Sequence, residues 1–95
     1  MNKDKREVFR TTQFKKDYKK AQRQGKDINL LEKIIKLLAN DEPIPKKYRD
    51  HQMKGQESNY RELHIKKDWM LVYMKTDNGK LVLILQRLGT HKNGD

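Results

Sequence analysis

The sequence predicts an α+β domain: two N-terminal helices packed on a small, mainly antiparallel sheet, in the order β-α-α-β-β-β. Three observations carry this expectation. Apolar residues recur with a helical period up to Asn40. Beyond Pro43 and Pro45 the pattern changes to strands rich in aromatic and branched residues. Asp77-Asn78-Gly79 then supplies a turn between the last two of those strands.

Taken in order, Glu7-Val8-Phe9-Arg10-Thr11 alternates weakly and precedes helix-start chemistry, so it reads as a short first strand. Thr11 or Thr12 can cap a helix running to about Gln24. Phe14, Tyr18 and Ala21 share one face of it, and Lys15, Lys16, Lys19, Lys20 and Arg23 the other. Gly25 stops this helix, and Asp27 caps a second one with Ile28, Leu31, Ile34, Ile35 and Leu38 as its buried stripe. Pro43 and Pro45 end the second helix and force an extended loop from Asn40 to Lys47. Tyr60 to Ile65, Trp69 to Lys75 and Lys80 to Arg87 follow as three strands of a meander. Asn78-Gly79 tolerates the positive φ of a type I′ hairpin turn. Leu81-Val82-Leu83-Ile84-Leu85 is apolar at every position, as in a central strand covered on both faces.

The 95 residues read as a single domain spanning 1–95, without repeats or long linkers. With 34% hydrophobic and 38% charged residues, its core is thin. There is no cysteine, so disulfides and thiolate metal sites are excluded, in keeping with a reducing cytoplasm. The first residues lead into no apolar run, so neither a signal peptide nor a membrane partner is expected. Lys and Arg number 23 against 13 Asp and Glu, a net charge of +10 that implies an acidic partner. Nucleic acid, a ribosome and an acidic protein all satisfy that condition, as does a merely solvated basic surface.

All three histidines lie in the second half: His51 beside Asp50, His64 in Tyr60-Arg61-Glu62-Leu63-His64-Ile65, and His91 after Arg87-Leu88-Gly89-Thr90. Histidine, with an ordinary pKa of about 6.5, is the side chain best suited to moving protons near neutral pH. Strand alternation puts Tyr60, Glu62 and His64 on one face, and Arg61, Leu63 and Ile65 on the other. Leu63 and Ile65 belong against the helices, so His64 and Glu62 face outward. Asp68, four residues on, can reach His64 across a tight turn and orient its ring. Singly, each of these is more often a surface residue than a catalyst. Three His and an Asp also suit zinc or iron, but no helical i, i+3 or i, i+4 His pair is present and the surroundings are cationic. No metal and no other cofactor is therefore expected.

At these residues the chain resembles the YafQ-like branch of the RelE family of bacterial toxins. Three stretches carry the resemblance: Tyr48 to Gly55 with its Asp-His, Tyr60 to Tyr73 with Arg61, His64 and Asp68, and Arg87-Leu88-Gly89-Thr90-His91. Each motif alone is weak; all three in order, over essentially the whole chain, are specific. The resemblance implies a RelE-like fold and a bacterial type II toxin, a ribosome-dependent endoribonuclease that cleaves mRNA and is silenced by a cognate antitoxin. By position, His51, His64, Asp68 and His91 match the family's acid–base residues, and Arg87 its arginine at the scissile phosphate. Two departures stand out: Asp95 falls where the family places a terminal Phe, and Lys67 where a Pro is common.

Such an enzyme needs no metal if the 2′-hydroxyl of the RNA attacks its own phosphate. A base at the 2′-oxygen and an acid at the leaving 5′-oxygen are each worth ~10²–10⁴-fold. His51 or His64 suits the base and His91 the acid, with Asp68 orienting a ring and Arg87 taking phosphorane charge. Arg61, Glu62, Lys54, Lys66 and Lys67 are the expected substrate contacts, with Lys46, Lys47 and the first helix on ribosomal phosphates. The expected partners are the antitoxin, the ribosome and mRNA; DNA is expected only through the antitoxin complex. The alternatives are a non-catalytic toxin of the RelE/ParE fold, which lacks this histidine set, and a plain RNA-binding module, which would show more aromatic platforms.

Overall fold

The computed structural model describes residues 4–90, so His91 and the tail to Asp95 lie outside the described residues. Strand β1 (Glu7–Arg10) leads into helices α1 (Thr12–Arg23) and α2 (Ile28–Ala39). Strands β2 (His51–Gln52), β3 (Arg61–Lys66), β4 (Trp69–Thr76) and β5 (Val82–Thr90) follow, with single 3₁₀ turns at Lys46–Tyr48 and Gly55–Glu57. The sheet order is β1-β5-β4-β3-β2; β1 runs parallel to β5 and every other pair is antiparallel.

The caps act where expected. Thr11 Oγ1 accepts from the Phe14 N–H at 3.0 Å and donates to the Gln86 carbonyl at 2.7 Å, so one hydroxyl both starts α1 and ties it to β5. Asp27 Oδ1 accepts from the Leu30 N–H at 3.1 Å. Phe14 and Ala21 of α1, with Leu31, Ile34, Ile35 and Leu38 of α2, pack on Leu63, Ile65, Trp69, Leu71, Tyr73, Leu83, Leu85 and Leu88 of the sheet. That one-sided core leaves the opposite sheet face to carry polar chemistry. Among the described residues no helix is long and apolar enough to cross a membrane.

The expected order gains one strand, and two local expectations are corrected. His51–Gln52, in the short segment before the first meander strand, forms an edge strand paired with Arg61 and Glu62 of β3. The β4–β5 hairpin carries the five residues Asp77 to Leu81 between the paired Thr76 and Val82, and only Gly79 there has positive φ, at 78°. A type I′ turn needs two positive φ values, so this connection is a longer one. Finally, β5 is an interior strand yet covered fully on only one side: Leu83 and Leu85 are buried, whereas Val82 and Ile84, on the other face, are half-buried.

A β-bulge in β5 decides what the open face can do. Val72 pairs with Arg87 but its neighbour Tyr73 pairs with Leu85, so Gln86 is the extra residue. In an unbroken ladder Arg87 would share the helix-facing side of Leu83 and Leu85. The bulge returns Leu88 to the core and turns Arg87 outward.

Candidate active site

Across the open face the strand registers align His51 (β2), Glu62 (β3), Val72 (β4) and Arg87 (β5) in one row, with His64, Met70 and Gly89 in the next. His51 Nε2 lies 3.3 Å from Glu62 Oε1, and the His51 and His64 rings are 6.1 Å apart between centroids. His51 Nδ1 sits 2.8 Å from the Arg49 carbonyl, and His64 Nδ1 3.5 Å from that of Lys67. A carbonyl oxygen only accepts, so Nδ1 is the protonated nitrogen facing it. Nε2 of His64 is thus left to exchange a proton, whereas His51 Nε2 is turned to the Glu62 carboxylate. Arg49 offers that carbonyl from a left-handed conformation, φ 53°, a local strain spent on aiming the ring.

The carboxylate that holds a histidine is therefore Glu62, which is only 16% exposed. Among the described residues Asp68, in the β3–β4 turn, makes no side-chain hydrogen bond or ion pair, and the contact to the His64 ring comes from the Lys67 carbonyl. Arg61 lies on the other face, with its guanidinium 3.3 Å from Asp50, whose Oδ1 also accepts from the buried Tyr73 hydroxyl at 2.6 Å. Burial first, and then this hydrogen bond to Asp50, push the Tyr73 phenol up. Asp50, Arg61 and Tyr73 thus anchor the backbone immediately before His51 rather than touching the open face.

Two depressions flank the histidine pair. On the β5 side a cleft of about 580 Å³ is lined by Glu62, Val72, Met70 and Arg87, with Asp17 of α1 and Glu57 of the loop before β3. On the other side a groove of about 590 Å³ carries Lys47, Arg49, Lys66 and Lys67 beside His64. Lys54 is exposed on the β2–β3 loop, and Lys66 is 3.8 Å from Asp27. Sequence reasoning missed Glu57 and Asp17. Glu57 sits in an aperiodic 3₁₀ turn, and Asp17 lies among the lysines of an exposed helix face, where nothing in the pattern marks it. Asp17 Oδ2 accepts from the Leu88 N–H at 2.9 Å, capping the β5 edge beyond the end of β1. Arg87 makes a bidentate pair with Glu57, at 2.7 and 3.2 Å, which lowers the Glu57 carboxyl pKa and raises that of the guanidinium.

The expectation of no metal rested on helical spacing and on cationic surroundings, but adjacent strands gather donors as well as a helix does. His51, Glu62 and His64 place one donor atom each within 4.8 Å of one another. Two imidazoles and a carboxylate make a donor set suited to a divalent transition ion. Together with Arg87 and the basic groove, the arrangement combines proton-transfer groups with seats for phosphate.

A compact α+β fold with two helices on one face of its sheet, and histidines and an arginine on the other, defines the class: a small basic α+β protein with imidazoles and a guanidinium gathered on one sheet face. Residues 6–93 match the family model for YafQ, the bacterial toxin of type II toxin–antitoxin systems, and the chain belongs to that family. It is 39% identical over 87 residues to the mRNA interferase toxin YafQ of Escherichia coli K12, covering 90% of this chain and 91% of that protein. It is similar in structure to YafQ in the E. coli DinJ–YafQ toxin–antitoxin complex, with a TM-score of 0.82, 39% identity and coverage of 92% and 93%. A metal-bound toxin from Helicobacter pylori is likewise similar, with a TM-score of 0.82, 38% identity and coverage of 90% and 93%.

Proposed function

We propose that this toxin is a ribosome-dependent endoribonuclease that cleaves mRNA by metal-independent acid–base catalysis and is restrained by a cognate antitoxin. The observation that supports this most is the His51–Glu62–His64 cluster on the same open face as Arg87. In this reading the RNA backbone crosses from the basic groove over the histidine pair into the Arg87 cleft. A histidine Nε2 draws the proton from the 2′-hydroxyl, whose oxygen attacks the adjacent phosphorus. The P–O5′ bond breaks, leaving a cyclic phosphate and a 5′-hydroxyl that takes its proton from a second imidazole. His64 serves as base, or His51 once its Nε2 turns from Glu62 to the 2′-hydroxyl, and His91 is the family-matched candidate for the acid. Arg87 neutralises charge on the phosphorane, where a preorganised cation in a partly dry site counts for more than in water. The relatives named above, an mRNA interferase and a toxin bound to DinJ, support the substrate class and the antitoxin. A site of action on the ribosome places the protein in the cytoplasm.

The test is translation of a defined mRNA in a purified system, with cleavage mapped on the ribosome. His51→Ala, His64→Ala and His91→Ala should each lower cleavage by about 10²-fold or more, the weight of one general acid or base, while melting near the unmodified protein. Full cleavage by any of them removes that histidine from the mechanism. A transition-metal chelator that spares the ribosome's magnesium should leave the rate unchanged; loss of activity would instead make His51, Glu62 and His64 metal ligands.

A further inference from the structure

Three carboxylates line the cleft that holds Arg87, which is unexpected for a seat that receives phosphate. Two of them have other work. Glu62 faces His51, and Asp17 accepts from the Leu88 N–H and from Gln13 Nε2 at 2.8 Å. Among the described residues, the Glu57 side chain is held by Arg87 alone, through both carboxylate oxygens. A carboxylate meets a guanidinium with the same two-pronged geometry as a phosphate. Glu57 therefore fills the positions that two phosphate oxygens would take.

The pair is also placed to exchange. Both side chains are close to 40% exposed, at the mouth of the cleft rather than beneath it. Glu57 rides on a 3₁₀ turn that begins at Gly55, with φ 71°, and no residue of that turn is buried. The loop is closed at its base by the Met53 N–H donating to the Tyr60 carbonyl at 3.0 Å. The Tyr60 N–H donates to the Glu57 carbonyl at 2.9 Å and Gln52 Nε2 to that of Ser58, so the turn holds its backbone while the Glu57 side chain alone can rotate away from Arg87.

We propose that Glu57 is an internal phosphate mimic that latches Arg87 in the free protein, and that an incoming phosphodiester binds by displacing it. This rests on the reading that Arg87 receives a substrate phosphate. The latch keeps the arginine occupied against casual anions yet yields to a strand that contacts the basic groove at the same time.

The experiment measures binding of a trinucleotide with blocked 2′-hydroxyls, by calorimetry at low salt, to the unmodified protein and to Glu57→Gln, Glu57→Asp and Arg87→Ala. Freeing Arg87 from an exposed ion pair should tighten binding about fivefold in Glu57→Gln, and Arg87→Ala should lose it. Glu57→Asp keeps the charge but is one methylene too short for the fork, so it should also bind more tightly than the unmodified protein. On programmed ribosomes the Gln variant should lower KM without lowering kcat. If Glu57→Asp behaves like the unmodified protein, only local charge matters and the latch is wrong. If Glu57→Gln binds no better, or melts lower and binds worse, Glu57 is a scaffold for its loop. Tighter trinucleotide binding without cleavage by any chain would leave the latch standing and overturn the nuclease reading instead.

Discussion

Replacing Tyr73 with Phe tests whether the support behind His51 matters as much as the histidine itself. The Tyr73 ring is 2% exposed and its hydroxyl reaches Asp50 Oδ1 at 2.6 Å, whereas the Arg61 contacts to the same carboxylate are longer, at 3.3 and 3.4 Å. Tyr73→Phe keeps the ring, so the packing loss is small. It removes a hydrogen bond to a charged acceptor, worth ~1.5–3 kcal/mol when the acceptor is left underserved. For a domain of this size each kcal/mol moves the melting point by about 4–8 °C, so the expected drop is roughly 10 °C. Asp50→Ala removes the same contact from the other side. The double variant should therefore cost less than the two single costs added. Cleavage should fall further than the loss of folded protein explains, because Asp50 fixes the chain one residue before His51, in a strand only two residues long. Thermal melts of the four chains, paired with cleavage on programmed ribosomes, provide the readings. A drop under 2 °C with additive costs would mean that the Tyr73 hydroxyl is a bystander.

Three further outcomes are expected. Arg6 and Lys75 both hydrogen-bond Asp41 and hold its carboxyl at about 2, below the ordinary 3.8. A depressed carboxyl stabilises the fold above its unfolded value, so this contribution should be intact above pH 4 and vanish as pH falls through 2. Melts of Asp41→Asn should lack that part of the acid transition. Replacing Lys66 and Lys67 together with Ala should weaken ribosome binding and flatten its salt dependence, since released counterions scale with phosphate contacts; an unchanged salt slope would take the groove out of the RNA path. Association with an antitoxin should slow as salt rises, because a net charge of +10 steers an acidic segment over distances screened beyond roughly 8 Å at physiological salt; a salt-insensitive rate would refute the electrostatic part.

The helices were legible because their signals are local. Thr11, Asp27 and Gly25 mark ends, and the Ile and Leu spacing of α2 marks its buried face. The histidines were legible for the same reason: alternation along β3 places His64 and Glu62 opposite Leu63 and Ile65. What escaped depends on pairing between strands. Nothing near His51 says that it will sit beside Glu62, whereas the four-residue spacing singles out Asp68 as a partner for His64. The bulge had a trace, since the core parity of Leu83 and Leu85 breaks at Leu88, but the apolar run from Leu81 to Leu85 hid it. The parallel pairing of β1 with β5 leaves no local mark at all. Glu57 was invisible because an aperiodic turn carries no facing information.

The overall charge and the local charge of this molecule point in opposite directions, and that contrast bears on the choice of substrate. Lysines on α1 and around the basic groove give any polyanion a favourable approach. At the row of His51, Glu62 and Arg87 the same polyanion meets Glu62, Asp17 and Glu57, each a carboxylate with a structural partner. Attraction at long range therefore does not become tight seating at short range. A free single strand must order itself and displace Glu57 without other help, and conformational entropy opposes both. A strand already held and splayed by a large ribonucleoprotein has met the ordering cost elsewhere, and needs only the exchange at Arg87 and the approach of an imidazole. Under the proposed function, ribosome dependence then follows from a site too acidic to immobilise RNA unaided.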